Sequence, residues 1–456
     1  MSTEQSPDNQ ASGNTFPGNT FPSNQWDFDT LSVRAGYDPA QHLHASSVPI
    51  YETASYVLDG ADAADAMFRY EQDGPIYSRL SNPTVSVLQD RLGALHGTPS
   101  ALVLSSGMAA VSYALLNAAD RGGSILTNYR LYGGSLDTIT HVLPHLGISF
   151  DIVDDADDPE AYDRAITDRT RAIFVESISN PQTAIADIEA LAEVAHRHGI
   201  ILIVDNTVAT PYLLNPFDHG ADVVVYSATK AISGHGTAIA GAILESGRFN
   251  YRTDRYPQFS EPAWVLRDLN DVPRSILDIA PQAPFTSRAK AVYLSYLGAT
   301  LGPFDAFLIL NGLETLTERV DKQVSNAEAV ARFLQSHDHV EWVDYPTLPG
   351  SGYEDLARRY LPRGAGSILS FGLEGGDPAI RRFIDAVRLF SYQANIGDAK
   401  SLIINPVRTT HIELDDKALA NIQLPGNTIR LSLGLENPRD LIADLEQAFE
   451  ATFAEA

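Results

Sequence analysis

Short apolar runs alternate with amphipathic stretches through the middle of this 456-residue chain, and the alternation predicts its architecture. Ala101–Leu104, Ser124–Thr127, Ser149–Val153, Ala172–Val175, Ile200–Val204 and Val223–Val225 read as strands, several apolar on both faces. Between them, helices are expected over Thr84–Leu95, from Gly107 through Ala119, and after Asp187. The last of these places Ile188, Leu191, Ala192 and Ala195 on one face and stops at Gly199. Strands alternating with helices imply an α/β fold with a mostly parallel, doubly wound sheet.

The pattern weakens on both sides of this region. From Trp26 to about Leu80 it is irregular, which suggests an arm (26–83) that packs on a partner subunit. Residues 242–303 are rich in Pro and aromatics, among them Tyr251, Tyr256, Phe259, Trp264 and Tyr293. They read as an insertion over one face of the domain spanning 84–303, either a lid or an interface. A helix over Leu313–Leu334 then opens a smaller α+β domain, 304–456. Its period-2 runs Val340–Val343, Ser367–Leu373 and Ile429–Leu435 predict antiparallel strands, with helices near 378–390 and 438–450.

Composition narrows the function. The chain carries 32 basic and 58 acidic residues, net charge −26, which argues against nucleic acid or an anionic membrane as its main partner. No apolar run approaches the roughly 18 residues of a membrane span. Cysteine is absent, so disulfides and thiolate chemistry are excluded, and a cytoplasmic location fits. Residues 1–25 hold no Lys or Arg and repeat Asn-Thr-Phe-Pro at 14–17 and 19–22; a disordered tail is expected there. The His-x-His pairs at 42/44, 196/198 and 337/339 lack a third ligand, so no metal is expected.

Ligands of doubly wound sheets bind outside the carboxyl ends of the strands. Those ends carry Ser105-Ser-Gly-Met108, Glu176, Asp205-Asn-Thr207 and Ser227-Ala-Thr-Lys230. Singly, each is ordinary loop chemistry, and Lys230 could be a surface lysine after a core strand. Together they form a constellation. Gly107 and Met108 offer main-chain N–H groups to a phosphate at a helix start, and Ser227 and Thr229 add hydroxyls. Asp205 suits a protonated ring nitrogen, Tyr132 an aromatic face, and a partly desolvated Lys230 an imine with a carbonyl. These are the needs of pyridoxal 5'-phosphate.

The chain also resembles the Cys/Met-metabolism family of pyridoxal-phosphate enzymes, closest to its O-acetylhomoserine sulfhydrylases. The resemblance runs from about residue 28 to 450. It rests on Tyr77-Ser-Arg79-Leu-Ser-Asn-Pro, Ser105–Ala110, Leu131-Tyr-Gly-Gly134, Asn180-Pro, Val204–Thr207, Ser227–Lys230, Gly234-His-Gly-Thr237, Gly312–Leu316, Gly397–Leu402, Thr409-Thr-His411 and Arg430-Leu-Ser. It implies a fold-type I transferase. Lys230 would then be the cofactor's lysine, Asp205 the partner of the pyridine nitrogen and Tyr132 the stacking ring. Gly107, Met108, Ser227 and Thr229 would hold the phosphate, joined by Tyr77 and Arg79 from a neighbouring subunit. Asn180 would sit near the phenolic oxygen, Arg430 would clamp the substrate carboxylate, and Ser401 and Thr410 would line the same pocket. A homo-oligomer with shared sites, a dimer of dimers, is implied.

The implied reaction joins O-acetylhomoserine to sulfide or a thiol, giving homocysteine or a thioether and acetate. Gly134 stands where the family's methionine γ-lyases carry cysteine, and Lys400 where cystathionine synthases and lyases tend to carry glutamate. A cystathionine γ-synthase or γ-lyase activity is the rival, and a non-catalytic relative the reading from another class. One departure bears on acceptor choice: the family's His-Pro-Ala-Ser-Thr-Thr-His is here Asn405-Pro-Val-Arg408-Thr-Thr-His411.

Overall fold

Seven strands build the larger sheet: β1 Ser100–Leu104, β2 Ser124–Asn128, β3 Ser149–Val153, β4 Thr170–Glu176, β5 Ile201–Asp205, β6 Val223–Ser227 and β7 Gly241–Glu245. Their order is β1-β7-β6-β5-β4-β2-β3, with β7 alone antiparallel to its neighbours. The structure is a computed structural model and describes residues 26–410, 412, 419, 422 and 424–454. The tail expected over 1–25, and His411, lie outside the described residues.

The expected strands form because their side chains are apolar on both faces and both faces are covered. Val223, Val224 and Val225 are all fully buried, as are Ile201 to Val204. Each such side chain contributes about 1.5–3 kcal/mol by leaving water. On one face packs the helix Ile188–Arg197, capped by Asp187 Oδ1 accepting the Ala190 N–H at 3.3 Å. On the other packs the helix Gly107–Ala119, capped by Ser106 Oγ accepting the Ala109 N–H at 3.0 Å.

The stretch from 242 is not a lid. It begins as β7 and continues as loops and short helices, with Tyr251, Tyr256, Phe259, Phe285 and Tyr293 buried in the core over that second face. Tyr256 shows why: its hydroxyl accepts the Ile201 N–H at 3.0 Å and donates to the Arg171 carbonyl, closing main-chain groups at the start of two strands. Trp264, by contrast, stays exposed.

Five further strands form the second sheet: β8 Val340–Asp344, β9 Ile368–Leu373, β10 Ser391–Tyr392, β11 Leu402–Ile404 and β12 Thr428–Ser432, in the order β10-β11-β12-β9-β8. All pairs are antiparallel except β10 with β11. The helix expected over 313–334 forms as Leu316–Gln335, and a further helix, Pro303–Leu313, precedes it across a turn at Glu314-Thr315. The helices Gly376–Ala386 and Pro438–Phe453 complete this layer. In the arm, Leu31, Ala35 and Val48 pack on Val87 and Leu88 of the helix Pro83–His96, while Leu43, Val57 and Phe68 remain exposed.

Candidate active site

The carboxyl ends of β4, β5 and β6 bring Glu176, Asp205 and Ser227 to one edge of the sheet, with Glu176 in register with Asp205. Thr207 ties two of these ends together. Its N–H donates to Asp205 Oδ1 at 2.9 Å, and its hydroxyl oxygen accepts the Ser227 N–H at 2.8 Å. Burial pushes the Asp205 carboxyl up to about 6. Burial, and then the Asp205 charge, hold Glu176 well above the usual carboxylate range.

Past β6 the chain reverses tightly: the Lys230 N–H donates to Ser227 O at 3.1 Å and the Gly234 N–H to Lys230 O at 2.7 Å. Buried Arg319 holds that reversal, donating to the carbonyls of Ala231 at 2.7 Å and Gly312 at 2.6 Å. Lys230 Nζ donates to Asn395 Oδ1 at 2.6 Å. Arg430, on β12, donates from Nη2 to the Asn395 carbonyl and from Nη1 to Asn180 Oδ1, both at 3.0 Å. Its Nε is buried with no partner among the described residues. Burial, and then the Arg430 charge, lower Lys230 to about 8; burial lowers Arg430 to about 10. Neither cation meets a carboxylate among the described residues. The two are set to receive an anion.

The phosphate corner is defined by close approach. A Cβ on Gly107 would lie 2.6 Å from Ser227 Cβ, so only glycine lets the helix start meet the end of β6. Met108 is half-buried at the same turn. Thr229 is less available than expected, since its hydroxyl donates to Ala240 O at 3.2 Å and accepts the Ala240 N–H at 2.9 Å. Tyr132 donates its N–H to Glu176 Oε1 at 2.6 Å and leaves its side chain 43% exposed. A Cβ on Gly134 would reach 2.7 Å from that ring, so glycine there frees the ring's position.

Asn395 and its neighbours thus link Lys230, Arg430 and Asn180, Asp205 stands beside Glu176, and Thr410 lies beside Tyr132, its carbonyl 2.6 Å from where a Gly133 Cβ would sit. Ser401 differs. Its fully buried hydroxyl donates to Glu436 Oε2 and accepts the Gly434 N–H, so it braces a turn and faces no open pocket. Tyr77 and Arg79 are exposed and pair with each other, the guanidinium 5.1 Å from the ring centroid. Arg408 points to the helix Gly376–Ala386, its Nε 3.2 Å from Asp377 Oδ1, and Asn405 Oδ1 accepts the Arg408 N–H at 3.2 Å. Sequence reasoning missed Asn395, which touches both cations; an isolated Asn ahead of Gly397 carries no periodic signal. It also missed Arg319, seven residues beyond the Gly312 motif.

The donor set fits a phosphorylated, carbonyl-bearing pyridine: an acid for a ring nitrogen, an amine near 8 for the carbonyl, and a glycine-opened helix start for the phosphate. Comparison with known proteins agrees. The profile of the Cys/Met metabolism PLP-dependent enzyme family matches residues 29–450. A homocysteine synthase of Schizosaccharomyces pombe is 40% identical, over 93% of this chain and 98% of the relative. An O-acetyl-L-homoserine sulfhydrylase of Leptospira meyeri is 40% identical, over 92% and 96%. Among solved structures, a protein of Campylobacter jejuni described as an O-acetylhomoserine (thiol)-lyase, with an N'-pyridoxyl-lysine-5'-monophosphate, superposes with a TM-score of 0.88. It is 42% identical, covering 93% of this chain and all of that one.

Proposed function

The chain belongs to the Cys/Met-metabolism family of PLP-dependent enzymes, and on that premise we propose that it converts O-acetylhomoserine and sulfide, or another thiol, to homocysteine, or a thioether, and acetate. The observation that carries this reading is the run of contacts from Lys230 through Asn395 to Arg430 and on through Asn180 to Glu176, which stands in register with Asp205. When bound, pyridoxal phosphate supplies a carbonyl for amines and a ring that accepts electrons. Asp205 would pair with its ring nitrogen, and Tyr132 would cover a ring face. Gly107, Met108 and Ser227, with Thr229, would hold the phosphate, and Asn180 would meet the phenolic oxygen.

Arg430 takes the carboxylate of the amino-acid substrate, turning its unpartnered Nε to use in a two-point grip. Lys230 moves protons at the substrate's α- and β-carbons; an amine lowered to about 8 is suited to give and take them near neutral pH. Acetate leaves before the thiol adds, so double-reciprocal plots should be parallel. On this reading residues 84–303 form the cofactor-binding domain and 304–456 the smaller one. Residues 26–83, with Tyr77 and Arg79, reach a partner's phosphate, which requires at least a dimer, in the cytoplasm.

The test is a product assay with the cofactor-loaded protein and O-acetylhomoserine, supplied with sulfide, with cysteine, or with neither. Homocysteine formed mainly with sulfide supports the proposal. Cystathionine from cysteine, or ketobutyrate without a thiol, replaces it with the synthase or lyase reading.

A further inference from the structure

Two acids stand in register at the ends of neighbouring parallel strands, Glu176 on β4 and Asp205 on β5. The cofactor's pyridine nitrogen needs one of them, and Glu176 is left without a role. Burying a second acid beside the first is unfavourable, because desolvation and the neighbouring charge both oppose its ionisation. A glutamine of the same shape would avoid that cost. The geometry indicates what glutamine cannot supply. Glu176 accepts two main-chain N–H groups, one on each oxygen: Tyr132 on Oε1 at 2.6 Å and Asn180 on Oε2 at 3.3 Å. An amide side chain offers one acceptor and would turn its NH2 against the other donor.

We propose that Glu176 is a positioning residue that sets the stacking ring and the carboxylate clamp at once. Through the main chain of Tyr132 it fixes where the aromatic ring starts, at the head of the short helix Gly133–Asp137. Through the main chain of Asn180 it fixes the amide that receives Arg430 Nη1 at 3.0 Å. One side chain from the centre of the sheet thereby links a loop after β2, the turn after β4, and β12 of the second sheet. The inference rests on the roles proposed above for Tyr132 and Arg430.

The experiment compares Glu176→Gln and Glu176→Asp with the parent protein. Four quantities are measured: pyridoxal phosphate dissociation by titrating the cofactor-free protein, KM and kcat for O-acetylhomoserine, and the thermal midpoint of the cofactor-free protein. For Glu176→Gln the cofactor Kd should rise about ten- to a hundredfold, the loss of one buried hydrogen bond to a carboxyl. KM should rise several-fold and more than kcat falls, and the visible band of the bound cofactor should shift. The thermal midpoint should change little, because the lost hydrogen bond and the removed buried acid act in opposite directions. A lower thermal midpoint with Kd and KM within twofold of the parent makes Glu176 a structural acid and overturns the proposal, as does no change in any quantity. If the Gln variant does not fold, Glu176→Asp decides on the same Kd and KM, because its shorter stem cannot span both donors. Arg430→Lys run alongside separates the failures. KM unchanged there sinks the clamp itself; KM raised there but not in Glu176→Gln sinks only this inference.

Discussion

The two ends of the cleft are built on opposite charges but on the same device. At one end two acids, Asp205 and Glu176, sit side by side; at the other two cations, Lys230 and Arg430, share Asn395. Each pair is a like-charge pair held out of water, and each is pushed towards neutrality: Asp205 up to about 6, Lys230 down to about 8. Without ligands both arrangements cost stability. On the proposed function, a protonated ring nitrogen would relieve the first and a substrate carboxylate the second. The cleft is therefore poised for a zwitterionic set of partners, and its strain is the measure of that poise.

Removing the groups one by one should break this symmetry in a graded way. Lys230→Ala should lower turnover by about a thousandfold or more, since Lys230 is the amine that meets Asn395 beside Arg430, and loss of the lysine-bound cofactor's visible band checks it. Arg430→Lys should lower kcat/KM by about a hundredfold, chiefly through KM, because a compact ammonium lacks the planar fork that spans Asn180 and Asn395 and grips a carboxylate at two points. Gly107→Ala should weaken the cofactor about tenfold in a titration, as its Cβ would displace Ser227.

The pH dependence of the cofactor-free protein sharpens the comparison further. A carboxyl raised in the folded state costs nothing below about pH 4, and its cost grows up to about pH 6, where it levels off. Asp205→Asn should then gain thermal midpoint over the parent progressively across that window. A lowered amine behaves inversely in time: its cost is full below about pH 8 and fades towards the unfolded value near 10.5. Lys230→Met should accordingly be more stable than the parent at pH 7 and lose that advantage by about pH 10.5. Thermal scans of the three cofactor-free proteins across pH decide both. The smallest effect is expected from Arg408→Ala. Its exposed pairing with Asp377 is worth about 0–1 kcal/mol, so activity with sulfide should change less than about threefold. A larger change in acceptor preference would show that Arg408 bears on acceptor choice despite its pairing with Asp377.

The acid end and the lysine were legible in the sequence because β-branched runs announce buried strands, and polar residues directly after such runs must lie at strand ends. Asp205, Ser227 and Lys230 needed only that local rule. Arg430 was found through its motif, since on period alone it is a charge in a strand. What only the tertiary structure decided is the cation end and the fate of the aromatic stretch. Asn395 lies 165 residues from Lys230 and Asn180 lies 250 from Arg430, so their hydrogen bonds leave no trace in local spacing. Ser401 and Arg408 turned away because Glu436 and Asp377 offered them partners that no pattern along the chain encodes. Residues 242–303 became a packed layer because Tyr256 and its neighbours found a bare sheet face to cover. Local periodicity specifies which face of an element is apolar; which distant group meets it is fixed only when the layers close.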